Sequence, residues 1–419
     1  MKEKKQIDLI AYSTDASMIE GNAISIIFPE SVEKIQEAVR NFNGITIRGG
    51  GSGLVGGAVP QNCVVLDMSK MSKILKFDLA KRDIEVEAGI ILDELNSYLD
   101  KHGLEFPVNP SSHSICTIGG MIATNAVGSR AIKYGRTSDW VSRVWVIDGR
   151  GEVIEAGKTE IDDFSGLEGI TGVIFKARLK LIPKMKRTAS LVSMSSLSDV
   201  QGLVMNLKLR EDVSAIEFFD RFISGLLNLP DSNHLIVEYE SEEGKMKGED
   251  YIRVMNLRDN IYPTLASAGF THIEDPKILI HKFSEFAEFL QENKIPFFGH
   301  VGSGIIHPVY RKGQESLIRE TIKLTKKLHG QVSGEHGIGL SKKEFLEPGD
   351  IKIIERIKKR RDPLNKLNCG KVIDLKPQKK EEEKKLVDAA DVEVNDGDEG
   401  LIDFQEDTKQ GGVDNGNTN

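Results

Sequence analysis

Two short stretches concentrate the residue types that could do chemistry. Phe297-Phe298-Gly299-His300-Val301-Gly302-Ser303-Gly304-Ile305-Ile306-His307-Pro308 holds two of the chain's 9 histidines on apolar arms either side of Gly-Ser-Gly. Such a pattern fits a β-hairpin. A turn centred on Ser303 would set position 300 opposite 306, beside His307, so that both imidazoles could share a ligand. Ser333-Gly334-Glu335-His336-Gly337-Ile338-Gly339 adds a carboxylate and another imidazole, bracketed by glycines that allow close ligand approach. His300, His307 and Glu335 would suit a divalent Zn, Mn or Fe with positions left open for substrate. A plainer reading also fits: two hydrogen-bonded hairpin histidines and a solvated Glu-His turn, since H-x6-H is no recognised metal spacing.

A third stretch is rich in glycine. Gly51-Ser52-Gly53-Leu54-Val55-Gly56 matches G-x-G-x-x-G, with Arg48, Gly49 and Gly50 just before it. A dinucleotide site of the Rossmann type needs a helix directly after such a loop. Here Pro60 and the strand-like run Cys63–Asp67 follow, which argues against that site. The residues leave two readings open, a flexible turn and a nest of backbone N–H groups that binds an anion. The segment 107–135, PVNPSSHSICTIGGMIATNAVGSRAIKYG, offers a second run of small residues around Thr117, Ile118, Gly119 and Gly120. Two such loops suit one long ligand lying across both.

The elements that must position these residues can be read from periodicity. Residues 31–42 predict a helix with Val32, Ile35, Val39 and Phe42 on one face and Ser31 as N-cap. Strands are expected at Ile45–Ile47, Cys63–Asp67, Ile84–Glu87, Val144–Ile147, Glu152–Glu155 and 173–182, with a helix at 91–101. After Pro183, helices are expected at 199–210 and 281–291 and a strand at Leu235–Tyr239. The fold class is α+β, with domains expected at 1–185 and 186–373.

Composition narrows the function. The chain has 419 residues and a formal net charge of −8. Residues 374–419 hold 14 acidic and 6 basic side chains, which accounts for the whole of that charge. The body is therefore neutral and carries no electrostatic footprint for nucleic acid. The tail lacks the apolar residues needed to order itself and is expected to be disordered. No apolar run reaches the ~18 residues of a membrane span, and the N-terminus lacks a signal-peptide core. Cys63, Cys116 and Cys369 form neither a CxxC nor a disulfide framework. A cytoplasmic protein is expected, with any membrane association made through a partner.

Taken together, Tyr12-Ser13-Thr14-Asp15-Ala16-Ser17, RGGGSGLVGG, NPSS…TIGG…NAVG…KYG and Gly166-Leu167-Glu168-Gly169-Ile170-Thr171-Gly172-Val173 resemble the PCMH-type FAD-binding domain of the vanillyl-alcohol-oxidase-like flavoproteins. The resemblance implies FAD contacts from Arg48–Leu54, Thr117–Gly120, Asn125, Gly128, Glu168, Gly172, Val173 and Asn368. The first loop has no His or Cys, so the FAD is expected to be non-covalent. GHVGSGIIHP and SGEHGIG resemble the C-terminal domain of FAD-linked 2-hydroxyacid dehydrogenases, as does the closing DPLNKLNCGK. Ser303 and Ile305 depart from the Asp and Asn of that pattern, and Cys369 from its proline. Residues Leu167 and Ile170 replace hydroxyl side chains.

The resemblance implies a metal on His300, His307 and Glu335, with His336 acting on substrate. Arg258 and Lys277 fall where relatives place basic substrate contacts. The expected reaction is oxidation of a D-2-hydroxy acid such as D-lactate or glycolate, with hydride passed to flavin N5. Electrons would go to a separate quinone, cytochrome or electron-transfer protein, or to oxygen. Homo-oligomer formation is left open. The alternative is a non-catalytic FAD-binding subunit of a larger oxidoreductase.

Overall fold

The computed structural model describes residues 9–375. The expectation for the acidic tail falls almost wholly on residues 376–419, outside the described ones. Three larger sheets and one two-stranded pairing, Leu104–Glu105 with Ile182–Pro183, organise the described part, with helices packed on them.

The first sheet is small and parallel, in the order Asn22–Ile27, Gln61–Asp67, Ile45–Arg48. Helix Val32–Asn41 covers it with Ile35, Ala38 and Val39, and Ser31 caps the helix by accepting from Lys34 N. A parallel sheet was not expected from the sequence. Its middle strand comes from after the glycine loop, so the loop spans the sheet's end and no βα turn forms there.

The second sheet has five antiparallel strands: Ile74–Asp78, Asp83–Glu87, Val173–Lys180, Val141–Ile147 and Val153–Gly157. Leu92, Leu95 and Leu99 of helix Leu92–Asp100 join a core with Ile84, Val86, Val144 and Leu179. The third sheet has six strands, in the order Thr188–Met194, Asn233–Tyr239, Val213–Phe219, Phe297–Gly299, His307–Tyr310, His272–Ile273. Helices Leu197–Leu207 and Phe283–Glu292 pack on it through Val200, Val204, Phe283 and Phe286. Strands and helices thus fall where period-2 and period-3.6 apolar patterns placed them, within a few residues.

A charged seam ties the earlier half of the chain to the third sheet. Arg130 grips the fully buried Glu238 with two bonds, 2.8 Å and 3.0 Å, while Tyr251 Oη and Ser214 Oγ also donate to that carboxylate. Arg187 bonds Glu105 and also reaches Glu240, to which Tyr134 donates at 2.6 Å. Finally, the closing segment returns to the first sheet. Leu367 bridges to Ile45, Asn368 N donates to Ile45 O at 2.7 Å, and Val372 N donates to Gly339 O at 2.8 Å.

Candidate active site

His300, His307 and Glu335 meet in the fold. His307 opens the strand His307–Tyr310, and His300 follows the strand Phe297–Gly299. These strands pair, but Phe298 faces His307 and Phe297 faces Pro308, one register from the expected hairpin. The reason is the turn: Val301–Ser303 forms a 3-10 helix closed by Gly304 at φ +80°. The two imidazoles nevertheless stand edge to face, 5.3 Å between centroids. Glu335 reaches both, 3.5 Å from His300 Nε2 and 3.2 Å from His307 Nε2.

Those distances are the test of whether this trio fits a metal. Ligand atoms about 2.1 Å from a tetrahedral ion lie roughly 3.4 Å from one another. The available atoms lie within 4.8 Å of one another, so the residues fit. Burial opposes a charge on His300, but the Glu217 and Glu335 carboxylates outweigh it and lift the imidazole to about 9. Burial likewise opposes the Glu335 charge, and the surrounding histidines hold its pKa well below the usual range. An electron-rich site of this kind suits a cation. His336 stacks on His307 at 5.1 Å with its ring nearly parallel, and its Nε2 lies 3.3 Å from Glu335. Its Nδ1 is buried without a hydrogen-bond partner.

Two carboxylates that the motifs did not single out hold this site in shape. Glu217, on the buried strand Val213–Phe219, accepts from His300 Nδ1 at 2.8 Å and so turns Nε2 toward Glu335. Asp275 accepts backbone N–H groups from Gly334, Glu335 and His336 at 2.7–2.9 Å and binds Lys342. Burial would raise the Asp275 pKa, yet Lys342 and these donors bring it to about 2. The sequence did hold a signal for Glu217. It is an acid inside the otherwise apolar run VSAIEFF, and a buried acid needs partners.

Arg258 is nearly buried behind Glu217, to which its Nε donates at 3.0 Å, while Nη1 donates to Asp259 at 2.7 Å. Lys277 pairs through its backbone with Ile305 and Gln331 and is not among the cavity-lining residues. Burial, aided by nearby Arg136 and Lys208, lowers its pKa.

One cavity runs from the glycine loop to this cluster. Its walls include Arg48, Gly49, Gly50, Gly51, Ser52, Gly53, Leu54, Thr117, Gly119, Gly120, Glu168, Gly172 and Asn368, with His300, Glu335 and His336 at the other end. Ile118 and Val173 are instead core residues. Asn125 ends the helix Ile118–Thr124 in the left-handed region and accepts from Ser138 N, and Gly128 presses on Asn109. The two small-residue segments touch: a Cβ on Gly50 would lie 1.9 Å from Ile115 O, and one on Gly49 2.3 Å from Thr117 Oγ1. Among the described residues, no backbone N–H from Gly50 to Gly57 donates to a protein acceptor. A row of unspent donors on a cavity wall suits an anion, the reading that the loop's residues taken alone left open against a flexible turn.

Comparison with known proteins agrees with this geometry. Residues 23–157 match the FAD binding domain family, and residues 253–372 match the FAD linked oxidases, C-terminal domain. The D-lactate dehydrogenase of Archaeoglobus fulgidus is 30% identical over 83% of this chain and 91% of its own. This chain is an FAD-linked oxidase of the D-lactate and D-2-hydroxyglutarate dehydrogenase family. Within that family of FAD-linked oxidases, a D-2-hydroxyglutarate dehydrogenase of Xanthomonas citri pv. viticola is 28% identical, covering 84% of this chain and 90% of its own. The glycolate oxidase subunit GlcD of Bacillus subtilis is 26% identical, covering 87% and 92%. No helix among the described residues is long and apolar enough to cross a membrane.

The cradle around Gly50–Gly57 fits the FAD that the family binds. A metal on His300, His307 and Glu335 would need the histidines correctly aimed. Glu217→Gln should weaken divalent metal binding about 10–100-fold, the cost of losing an orienting carboxylate. Titration of the metal-free protein with Zn²⁺ or Mn²⁺ would check this; an unchanged affinity would mean that Glu217 serves only packing.

Proposed function

We propose that the protein oxidises a D-2-hydroxy acid to the 2-oxo acid, using non-covalent FAD and a divalent metal. The observation that carries this reading is that His300, Glu335 and His336 line the same cavity as the glycine cradle. Bound FAD would supply the hydride acceptor, and it would be held by the loop Arg48–Leu54, by Thr117–Gly120, and by Glu168, Gly172 and Asn368. Asn125, Gly128 and Val173 would support that wall from behind. Cys116 is the one cysteine lining the cavity, and burial pushes its thiol up to about 11. So little thiolate argues against a covalent flavin link.

His300, His307 and Glu335 would hold the metal, whose part is to acidify the substrate hydroxyl. His336 then takes the hydroxyl proton; its ring is fixed by the stack on His307 and by the Asp275-held backbone. Arg258 is buried, is not among the cavity-lining residues, and has two of its nitrogens committed to Glu217 and Asp259, so it would act on the site through Glu217 rather than by touching the substrate carboxylate. Lys277 would act from outside the cavity, as part of its positive surround. The departures at 303 and 305 are compatible with catalysis. Ser303 Oγ bonds back to His300 O at 2.9 Å, and Ile305 is buried, so the supporting carboxylates come from Glu217 and Asp275 instead. The electron acceptor is a separate molecule.

The test is anaerobic mixing with D-lactate, glycolate and D-2-hydroxyglutarate, followed by flavin absorbance. Bleaching by at least one is expected, and His336→Ala should slow it about 10²–10⁴-fold, the usual reach of a general base. If no acid in the panel bleaches the wild-type flavin, the result favours a non-catalytic flavin subunit over a D-2-hydroxy acid dehydrogenase.

A further inference from the structure

Glu168 occupies an unusual place for a carboxylate. Its backbone sits at φ +51°, a region that costs a non-glycine residue energy and is kept where the surroundings enforce it. The enforcing contacts are on both of its backbone groups. Glu168 N donates to Ala123 O at 2.7 Å, in the helix that begins at the TIGG segment, and Asn368 Nδ2 donates to Glu168 O at 2.5 Å. The residue is 4% exposed, and its side chain crosses to a distant loop. Its Oε1 accepts from Ile338 N at 2.6 Å and from Gly339 N at 3.0 Å.

That loop is SGEHGIG, which carries Glu335 and His336. Two features make the contact tight. Gly337 has φ +90°, and a Cβ there would lie 2.5 Å from Glu168 Oε1. Gly339 has φ +49°, and a Cβ there would lie 2.1 Å from Val55 O, in the glycine loop. The remaining oxygen of Glu168, Oε2, is buried without a hydrogen-bond partner and lies against Gly57, another cavity-lining residue. Burial pushes the carboxyl pKa up, against the two backbone donors. An apolar side chain would fill this volume at lower cost than a buried acid.

We propose that Glu168 is a positioning residue that couples the FAD cradle to the catalytic loop. One end of the residue is fixed by the cofactor-lining segments, through Ala123 and Asn368. The other end fixes the backbone two and three residues after His336. The distance between cofactor and base is thereby set by one short, buried side chain. Asp275 holds the same loop from the substrate-domain side, so Glu335-His336 hangs between two carboxylate clasps. This inference rests on the assignment of His336 to substrate, but the clasp itself can be tested without substrate.

Two variants separate the roles. Glu168→Gln keeps an acceptor oxygen for Ile338 and Gly339, and Glu168→Ala removes it. In FAD-loaded protein, hydrogen–deuterium exchange of the peptide spanning 337–340 should quicken at least 10-fold in Glu168→Ala and stay near wild type in Glu168→Gln. In stopped flow with a reducing substrate, Glu168→Ala should lower the limiting rate of flavin reduction at least 10-fold, with substrate affinity changed less than 3-fold. Glu168→Gln should recover the rate to within about 3-fold. Unchanged exchange and rate in Glu168→Ala would overturn the proposal. So would equal impairment of both variants, or loss of FAD from both, since either would make the acid itself the requirement. A wild-type flavin that no panel acid reduces would count against the D-2-hydroxy acid reading, while the exchange arm would still decide the clasp.

Discussion

Glu335→Gln should abolish metal binding at the proposed His300–His307–Glu335 site and slow flavin reduction by about 10²–10³-fold, the scale of losing one well-placed electrostatic group. The reasoning is geometric. Glu335 is the only member of the trio that contacts both histidines, at 3.5 Å and 3.2 Å. Glutamine has nearly the same shape and removes the charge that balances a divalent ion. It also leaves His300 and His307 facing a neutral group inside a buried pocket. Metal content per flavin, measured by plasma emission after gel filtration, should drop below about a tenth of wild type, a 10-fold loss that converts to about 1.4 kcal/mol. FAD content should be unchanged, because no contact from Glu335 to the glycine cradle is needed to hold the cofactor. Full metal occupancy in this variant would remove Glu335 from the ligand set.

Breaking the charged seam should have the largest effect on stability. Arg130→Met leaves Glu238 buried with Tyr251, Ser214 and a more distant Arg187, which lies 3.8 Å away. Losing one partner of a buried pair costs about 3–5 kcal/mol, because the other charge stays desolvated. Urea denaturation followed by tryptophan fluorescence should show that loss; a change under 1 kcal/mol would contradict it. The seam also predicts acid sensitivity. Burial opposes the Glu238 charge, but Arg130 and its neighbours bring its folded pKa to about 2. An unfolded glutamate titrates near ~4.3. Between those values the unfolded chain binds the proton and the folded one does not. The stabilisation is therefore complete above about pH 4.5 and is lost as pH falls toward 2.

Much of the fold could be read from residue patterns because its signals are local. Val32, Ile35 and Val39 recur at helical spacing, and Ser31 supplies an N-cap with no tertiary help. Strand Val173–Lys180 alternates because one face meets each of two environments. The site was legible where glycines and histidines cluster in short motifs. It was illegible where the partner is far away in sequence. Glu217 and His300 are 83 residues apart, and Asp275 and Glu335 are 60 apart. The hairpin register slipped for a different reason. The sequence Val301-Gly302-Ser303 has no feature that distinguishes a 3-10 turn from a symmetric loop. The roles of Arg258 and Lys277 could not be separated by sequence either, since a cation looks the same whether it is buried on a helix behind a carboxylate or half-buried in an irregular bridged segment.

The return of Leu367–Ile373 to the first sheet has a consequence for biosynthesis. Asn368 contributes to the cofactor wall and ties Ile47 and Glu168 together, although it lies 321 and 200 residues beyond them. At roughly 5–20 residues per second, the ribosome delivers Asn368 tens of seconds after the glycine loop. The chamber cannot close around its flavin during that interval. The complete wall therefore forms only once Asn368 has emerged, so a nascent chain would meet FAD with both the glycine loop and the SGEHGIG loop already made rather than as an emerging first domain.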